Sequence, residues 1–117
     1  MKKTFENEWL LEPLARKPGF RTRRMFGGLA AYLGDRLLMV LVEPTKTGRW
    51  QWHGVLVATD RERQPAIITQ FPQFAPHEFL KKWLYLDSHH EEFEEVMERI
   101  ADMMARDDAR FGVLTGA

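Results

Sequence analysis

The sequence predicts an α+β fold, in which an antiparallel sheet carries flanking helices in the order α-β-β-β-α-β-α. Two observations support this prediction. Two apolar runs are separated by Gly34-Asp35, a dipeptide typical of a tight hairpin turn. Farther along, apolar residues recur at helical spacing between Phe93 and Met104. The length of 117 residues suits one domain, so we expect a single α+β domain over residues 1–117.

Composition restricts the class of protein. The 44% hydrophobic and 29% charged residues are typical of a soluble globular chain. There is no cysteine, which excludes a disulfide framework, a thiolate metal site and a cysteine nucleophile. No apolar leader follows Met1, and no apolar run approaches the ~20 residues of a membrane helix. We therefore expect a cytoplasmic protein without a membrane partner.

The first half of the chain predicts one helix and three strands. Residues 4–17 suit a helix with Thr4 as N-cap and a kink or break at Pro13. Residues 28–33 and 36–42 form the hairpin, whose turn places glycine first, as in type II′. The second of these strands is apolar on both faces, so helices or a partner chain should cover both of its sides. Residues 50–59 suit a third strand.

The second half predicts a short helix, a strand and a long helix. Residues 60–70 suit either a strand or a helix, and Pro65 at a first helical position favours the helix. Residues 71–76 suit a loop because two prolines interrupt regular structure, and residues 82–86 suit a strand. Ser88 and Glu91 match a capping box that opens the last helix.

One segment resembles a known family. The run Arg24-Met25-Phe26-Gly27-Gly28, followed by a tyrosine-bearing strand, a Gly-Asp turn and an apolar strand, resembles the N-terminal domain of TfoX-like proteins. The match covers residues 20–43, and the YjbR-like families share its general plan. The resemblance implies a secretion-chaperone-like or YjbR-like α+β fold. The full-length proteins of this family regulate natural competence and carry a second, helical domain, which we do not expect within these 117 residues.

The densest positive charge lies just before that hairpin. Residues 16–24 contain five Lys or Arg and no acid. Guanidinium groups suit anions because their donors form a planar fork, and a neighbouring phenylalanine can stack on a base. The alternative is that the arginines pair with the acidic face of the last helix. The residues predicted to bind a partner are Lys17, Arg21, Arg23, Arg24, Phe26, Lys81 and Lys82.

Other motifs predict no catalytic or metal site. Gly27-Gly28 precedes a strand, so a turn explains it better than a phosphate-binding loop does. The four histidines include no pair with the i, i+4 spacing of helical metal ligands. Seven aromatic residues suit the core or, alternatively, a groove or a dimer contact: Trp50, Trp52, Phe71, Phe74, Phe79, Trp83 and Tyr85. We therefore predict no cofactor and no catalytic residue.

The charge distribution favours contact with a partner. The net charge is zero, but residues 1–60 carry +4 and residues 61–117 carry −4. Together with the doubly apolar strand and the resemblance, this split predicts a non-enzymatic regulatory or protein-interaction domain that contacts a protein partner or forms a homodimer. The alternative is a nucleic-acid-binding module that uses the basic segment 16–24. A small-molecule or metal-dependent enzyme is a third hypothesis, supported only by scattered histidine and glutamate.

Overall fold

The predicted α+β class is confirmed by the computed structural model, which describes residues 5–25, 27–45 and 51–115. In these ranges the helices follow a 3₁₀ turn at Glu8–Leu11 and are α1 (Glu12–Ala15), α2 (Gln64–Gln70) and α3 (Phe93–Ala105). The strands are β1 (Phe20–Met25), β2 (Gly28–Leu33), β3 (Arg36–Val42), β4 (Gly54–Val57), β5 (Ala75–Pro76), β6 (Leu84–Asp87) and β7 (Val113–Leu114). They form one antiparallel sheet with the order β1-β2-β3-β4-β6-β5, and β7 pairs with β3.

The predicted order of elements is wrong at three strands. The basic segment is not a connection, because Phe20–Met25 forms β1 and pairs along its whole length with β2. The two-residue strand β5 interrupts the predicted loop, and Pro76 is tolerated there because β5 is an edge strand. At the other end of the chain, β7 extends the pairing of β3.

The first predicted helix is divided. A 3₁₀ turn leads into α1, and Pro13 occupies an early position of α1, where its missing N–H is not needed. The expected break therefore falls beside Pro13, and the helical residues span 8–15 within the predicted range 4–17. The predicted N-cap, Thr4, lies outside the described residues.

The predicted hairpin is confirmed. The φ angle of Gly34 is +60°, whereas Asp35 is not among the residues with positive φ. A type II′ turn has positive φ at its first central residue alone, so the turn type agrees with the prediction. Past the turn the register shifts between Ala31 and Tyr32, which leaves Leu38 as an extra residue in β3. The bulge directs Leu37 to one face of the sheet and both Leu38 and Met39 to the other.

The sheet buries apolar residues on both faces, as the pattern of β3 predicts. On the face covered by helices, which we call the helix face, Leu14, Ile67, Met97 and Ile100 are fully buried. The opposite face, which we call the loop face, is not covered by a helix among the described residues. Half-buried side chains pack over its centre instead: Met25, Trp52, Leu80, Trp83, Tyr85 and Val113. Residues of the same chain therefore cover both sides of β3.

The two later helices agree with the predicted apolar pattern. Pro65 lies in the first turn of α2, which confirms the helix over the strand alternative. The apolar residues predicted for α3 face the core: Phe93, Val96, Met97, Ile100 and Met104. The capping box is wrong, because α3 begins at Phe93 and has no side-chain cap. Ser88 instead donates its hydroxyl and its N–H to the His53 carbonyl, at 3.0 and 2.8 Å.

Candidate functional site

Strand β1 forms an exposed, positively charged edge of the sheet. Its four central residues, Arg21, Thr22, Arg23 and Arg24, are all exposed, and we call them the basic edge. Arg21 lies opposite Tyr32 and Arg23 opposite Ala30, both of which belong to the loop face. Alternation along the strand places Arg24 on the helix face. The three predicted arginines therefore lie on one strand but project from two faces.

The outer side of β1 offers free backbone groups. Gly34 donates its N–H to the Gly19 carbonyl at 2.9 Å, so these opposed residues form a hydrogen-bonded pair of the ladder. Because such pairs alternate in an antiparallel ladder, the N–H and C=O groups of Thr22 and Arg24 point away from β2. Neither residue has a backbone partner on that side in the described part of the chain.

Among the described residues, no acidic side chain forms an ion pair with a guanidinium group of the basic edge. The guanidinium of Arg21 lies 4.3 Å from the centre of the Tyr32 ring, and its Nε donates to the Gly34 carbonyl at 3.2 Å. The guanidinium of Arg24 lies 5.3 Å from the centre of the Phe5 ring. Among the described ion pairs, none joins Arg21, Arg23 or Arg24 to the acidic face of α3. The alternative of pairing with the last helix is therefore not what the structure shows.

Lys17 does not belong to the basic edge. Its ammonium group donates to the Ala105 carbonyl at 2.5 Å and to the Asp107 carboxylate at 3.1 Å. It thus joins the end of α1 to the C-terminus of α3, where a cation is also favoured by the helix dipole. Phe26, the predicted stacking residue, lies outside the described residues.

The two remaining predicted residues lie at the far side of the sheet. Lys81 and Lys82 are exposed in the turn before β6, where they line an open groove of about 380 Å³ with Arg61, Phe79 and Trp83. Four strand spacings separate β6 from β1, which is about 19 Å. The predicted binding residues therefore do not form one patch: Lys17 and the pair Lys81 and Lys82 both lie apart from the basic edge.

The aromatic segment divides between core and surface. Phe71 and Phe74 are buried on the helix face, whereas Trp52, Trp83 and Tyr85 are half-buried on the loop face. Phe79 is 67% exposed at the groove. Trp50 lies outside the described residues. The core interpretation thus holds for the two phenylalanines, and the groove alternative holds for Phe79.

A buried histidine organises the turn that covers the loop face. His77 is 2% exposed, and its Nδ1 accepts the N–H groups of Phe79 and Leu80 at 3.1 and 3.0 Å. Its ring centre lies 4.4 Å from that of Trp52. Burial lowers the pKa of His77 below its usual value, and this effect outweighs the raising effect of Glu78. The two accepted hydrogen bonds require Nδ1 to be unprotonated.

Mild acid is therefore expected to destabilise this turn through His77. The pKa of His77 is lower in the folded chain than in the unfolded chain, so the unfolded chain takes up the proton first as pH falls. The contribution of neutral His77 to stability is therefore complete above about pH 6.5, the usual pKa of histidine. It is lost as pH falls toward the pKa of the folded chain. His77→Gln keeps an acceptor and removes the titration, so urea unfolding should show a smaller loss of stability between about pH 7 and 5. Equal slopes in the parent and His77→Gln would contradict this role.

The fold also brings together three residues that no sequence pattern connects. Glu6, Glu43 and His53 place one ligand atom each within 4.8 Å of the others, and we call them the Glu-Glu-His cluster. They lie in the N-terminal segment, after β3 and before β4. Glu6 and Glu43 are 37 positions apart in the chain, and Glu43 and His53 are 10 apart, so no spacing motif could reveal the cluster.

Comparisons with protein-family models, curated proteins and solved structures give no significant match to this chain. None of the helices that the structure describes has the length and apolar character needed to cross a membrane.

Proposed function

We propose that this domain is a protein-interaction module that binds an acidic, extended segment of a partner protein along β1. The observation that carries the proposal is that the basic edge combines exposed arginines with outward-pointing backbone groups on one edge strand. An extended peptide can add a strand to such an edge, where backbone hydrogen bonds supply affinity and side chains supply specificity.

Charge determines which extended segment fits best. In an added strand, side chains directly opposite those of β1 come within contact distance, and opposite charges there are favourable. Acidic residues at alternate positions of the partner would face Arg21 and Arg23 on the loop face. An acid on the other face would meet Arg24. A second copy of β1 would instead bring arginines near arginines, which favours a different partner over a homodimer across this edge.

The resemblance of residues 20–43 to the TfoX N-terminal domain supports a regulatory role through protein contact. It involves the same hairpin that carries the basic edge, because β1, β2 and β3 span this segment. This assignment to the family remains a prediction.

The test uses a fluorescent peptide of about eight residues, the length of a strand, with glutamate alternating with valine. Fluorescence anisotropy should show binding that weakens as salt rises, because charged partners are screened. Arg21→Glu/Arg23→Glu should weaken binding at least about tenfold, which corresponds to 1.4 kcal/mol. The matched control, Arg16→Glu/Arg106→Glu, makes the same change in net charge away from β1 and should bind like the parent.

A second comparison separates strand addition from simple charge attraction. Thr22→Pro removes one outward N–H without changing charge, and proline is tolerated on an edge strand. Binding should fall in this variant, and also when alternate amides of the peptide are methylated. Unchanged binding in both cases would reject strand addition.

The same titration with single-stranded oligothymidine tests the nucleic-acid alternative. Tight binding that falls steeply with salt, and that Arg21→Glu/Arg23→Glu abolishes, would favour a nucleic-acid module. Binding of the acidic peptide alone would favour the protein-interaction role.

A further inference from the structure

The strongest candidate for an additional site is the Glu-Glu-His cluster, which lies at one end of the β3–β4 pair. Val42 is opposite Gly54 in the ladder, so the next residue outward on each strand, Glu43 and His53, also face each other. Glu6 reaches this pair from the N-terminal segment. Its Oε2 lies 2.6 Å from His53 Nε2, and its N–H donates to Glu43 Oε2 at 2.7 Å.

Surrounding hydrogen bonds hold the histidine in place. The N–H of His53 donates to the Tyr85 hydroxyl at 3.0 Å, and its carbonyl accepts two bonds from Ser88. The His89 ring lies nearly perpendicular to the imidazole, with ring centres 5.3 Å apart. Because hydrogen bonds hold the backbone of His53 on both sides, they limit the positions that its imidazole can reach.

The donor set fits a divalent transition-metal ion. Two carboxylates and one imidazole direct oxygen and nitrogen donors toward one point, and a bound cation would attract the carboxylate oxygens there. Hard cations such as Mg²⁺ prefer oxygen alone, whereas Zn²⁺ accepts both imidazole nitrogen and carboxylate oxygen. Three protein ligands leave a fourth position for water in tetrahedral geometry. The side chains of Glu6 and His53 are 66% and 25% exposed, so an ion can enter from solvent.

We propose that Glu6, Glu43 and His53 form a binding site for Zn²⁺ or a similar divalent transition-metal ion. The three ligands come from three separate parts of the chain. A bound ion would therefore join the N-terminal segment to the ends of β3 and β4 and stabilise the folded state. The cluster shares no residue with the basic edge, so variants of this site leave the residues of the peptide-binding edge unchanged.

The experiment titrates metal-free protein with ZnCl₂ at about pH 7.5, where imidazole is mostly neutral. Calorimetry should show one ion bound per chain, and the melting temperature should rise with ZnCl₂. His53→Gln and Glu43→Gln should each lower the affinity at least about tenfold, since each removes a ligand. His90→Gln removes a histidine outside the cluster and should bind Zn²⁺ like the parent. Circular dichroism checks that each variant is folded.

Further arms of the titration distinguish this site from general surface binding. Affinity should fall as pH is lowered, because protons compete with the metal ion for its ligands. MgCl₂ should give a much smaller thermal shift than ZnCl₂. The proposal is overturned if His53→Gln and Glu43→Gln both bind Zn²⁺ as tightly as the parent. It is overturned equally if the parent shows neither heat nor a thermal shift at about 1 mM ZnCl₂, the scale of very weak binding.

Discussion

Gly28→Ala is expected to lower the free energy of unfolding by at least about 3 kcal/mol. A Cβ atom at this position would overlap the Leu41 carbonyl oxygen and crowd Val40 on the neighbouring strand. The obstacle is backbone in the centre of the sheet, so it cannot rotate away as a side chain can. Urea unfolding followed by tryptophan fluorescence measures the loss.

Gly27 provides the control within the same dipeptide. Its φ is +73 and a Cβ there would make only an ordinary contact with Thr45, so the requirement is conformational rather than spatial. Gly27→Ala should cost about 1–2 kcal/mol. Gly27→Asn should cost less, because asparagine enters the left-handed region more readily. If the two variants Gly28→Ala and Gly27→Ala had the same free energy of unfolding, the close approach of Gly28 to β3 would be contradicted.

Arg63→Ala is expected to destabilise the protein by about 2–3 kcal/mol, because hydrogen bonds to a charged group are among the stronger ones. Its guanidinium donates to the Asp60 carboxylate at 2.9 Å and to the carbonyls of Ala109 and Gly112 at 2.7 Å each. These bonds fasten the chain after α3 to the start of α2. Their loss leaves two carbonyls without this donor and frees the segment that carries β7.

The neighbouring Arg61 is the matched control. It is exposed, and Arg61→Ala should change stability by less than about 0.5 kcal/mol. Arg63→Lys keeps the charge but not the planar fork, so it should lose most of the stability as well. Thermal and urea unfolding of the three variants measure these differences. A stable Arg63→Lys variant would show that charge alone is sufficient.

Local patterns predicted those elements whose structure depends on neighbours in sequence. Gly34-Asp35 determines its turn because glycine readily adopts positive φ. Pro65 opens α2 because a first helical turn does not need its N–H. The apolar stripe of α3 predicts the buried face because 3.6 residues complete a turn. These features follow from backbone sterics and periodicity, and so the sequence alone determined the α+β class.

Pairing and long-range contact decided the rest. The arginines of β1 do not mark a strand by themselves, and β1 forms because β2 offers a complete ladder beside it. Ser88 matched a helix cap, but in the folded chain its hydroxyl bonds to the distant His53 carbonyl. The Glu-Glu-His cluster has no sequence motif, since the fold alone brings residues 6, 43 and 53 together. The free edge of β1 and this cluster are thus properties of the tertiary structure, because each depends on which strands become neighbours.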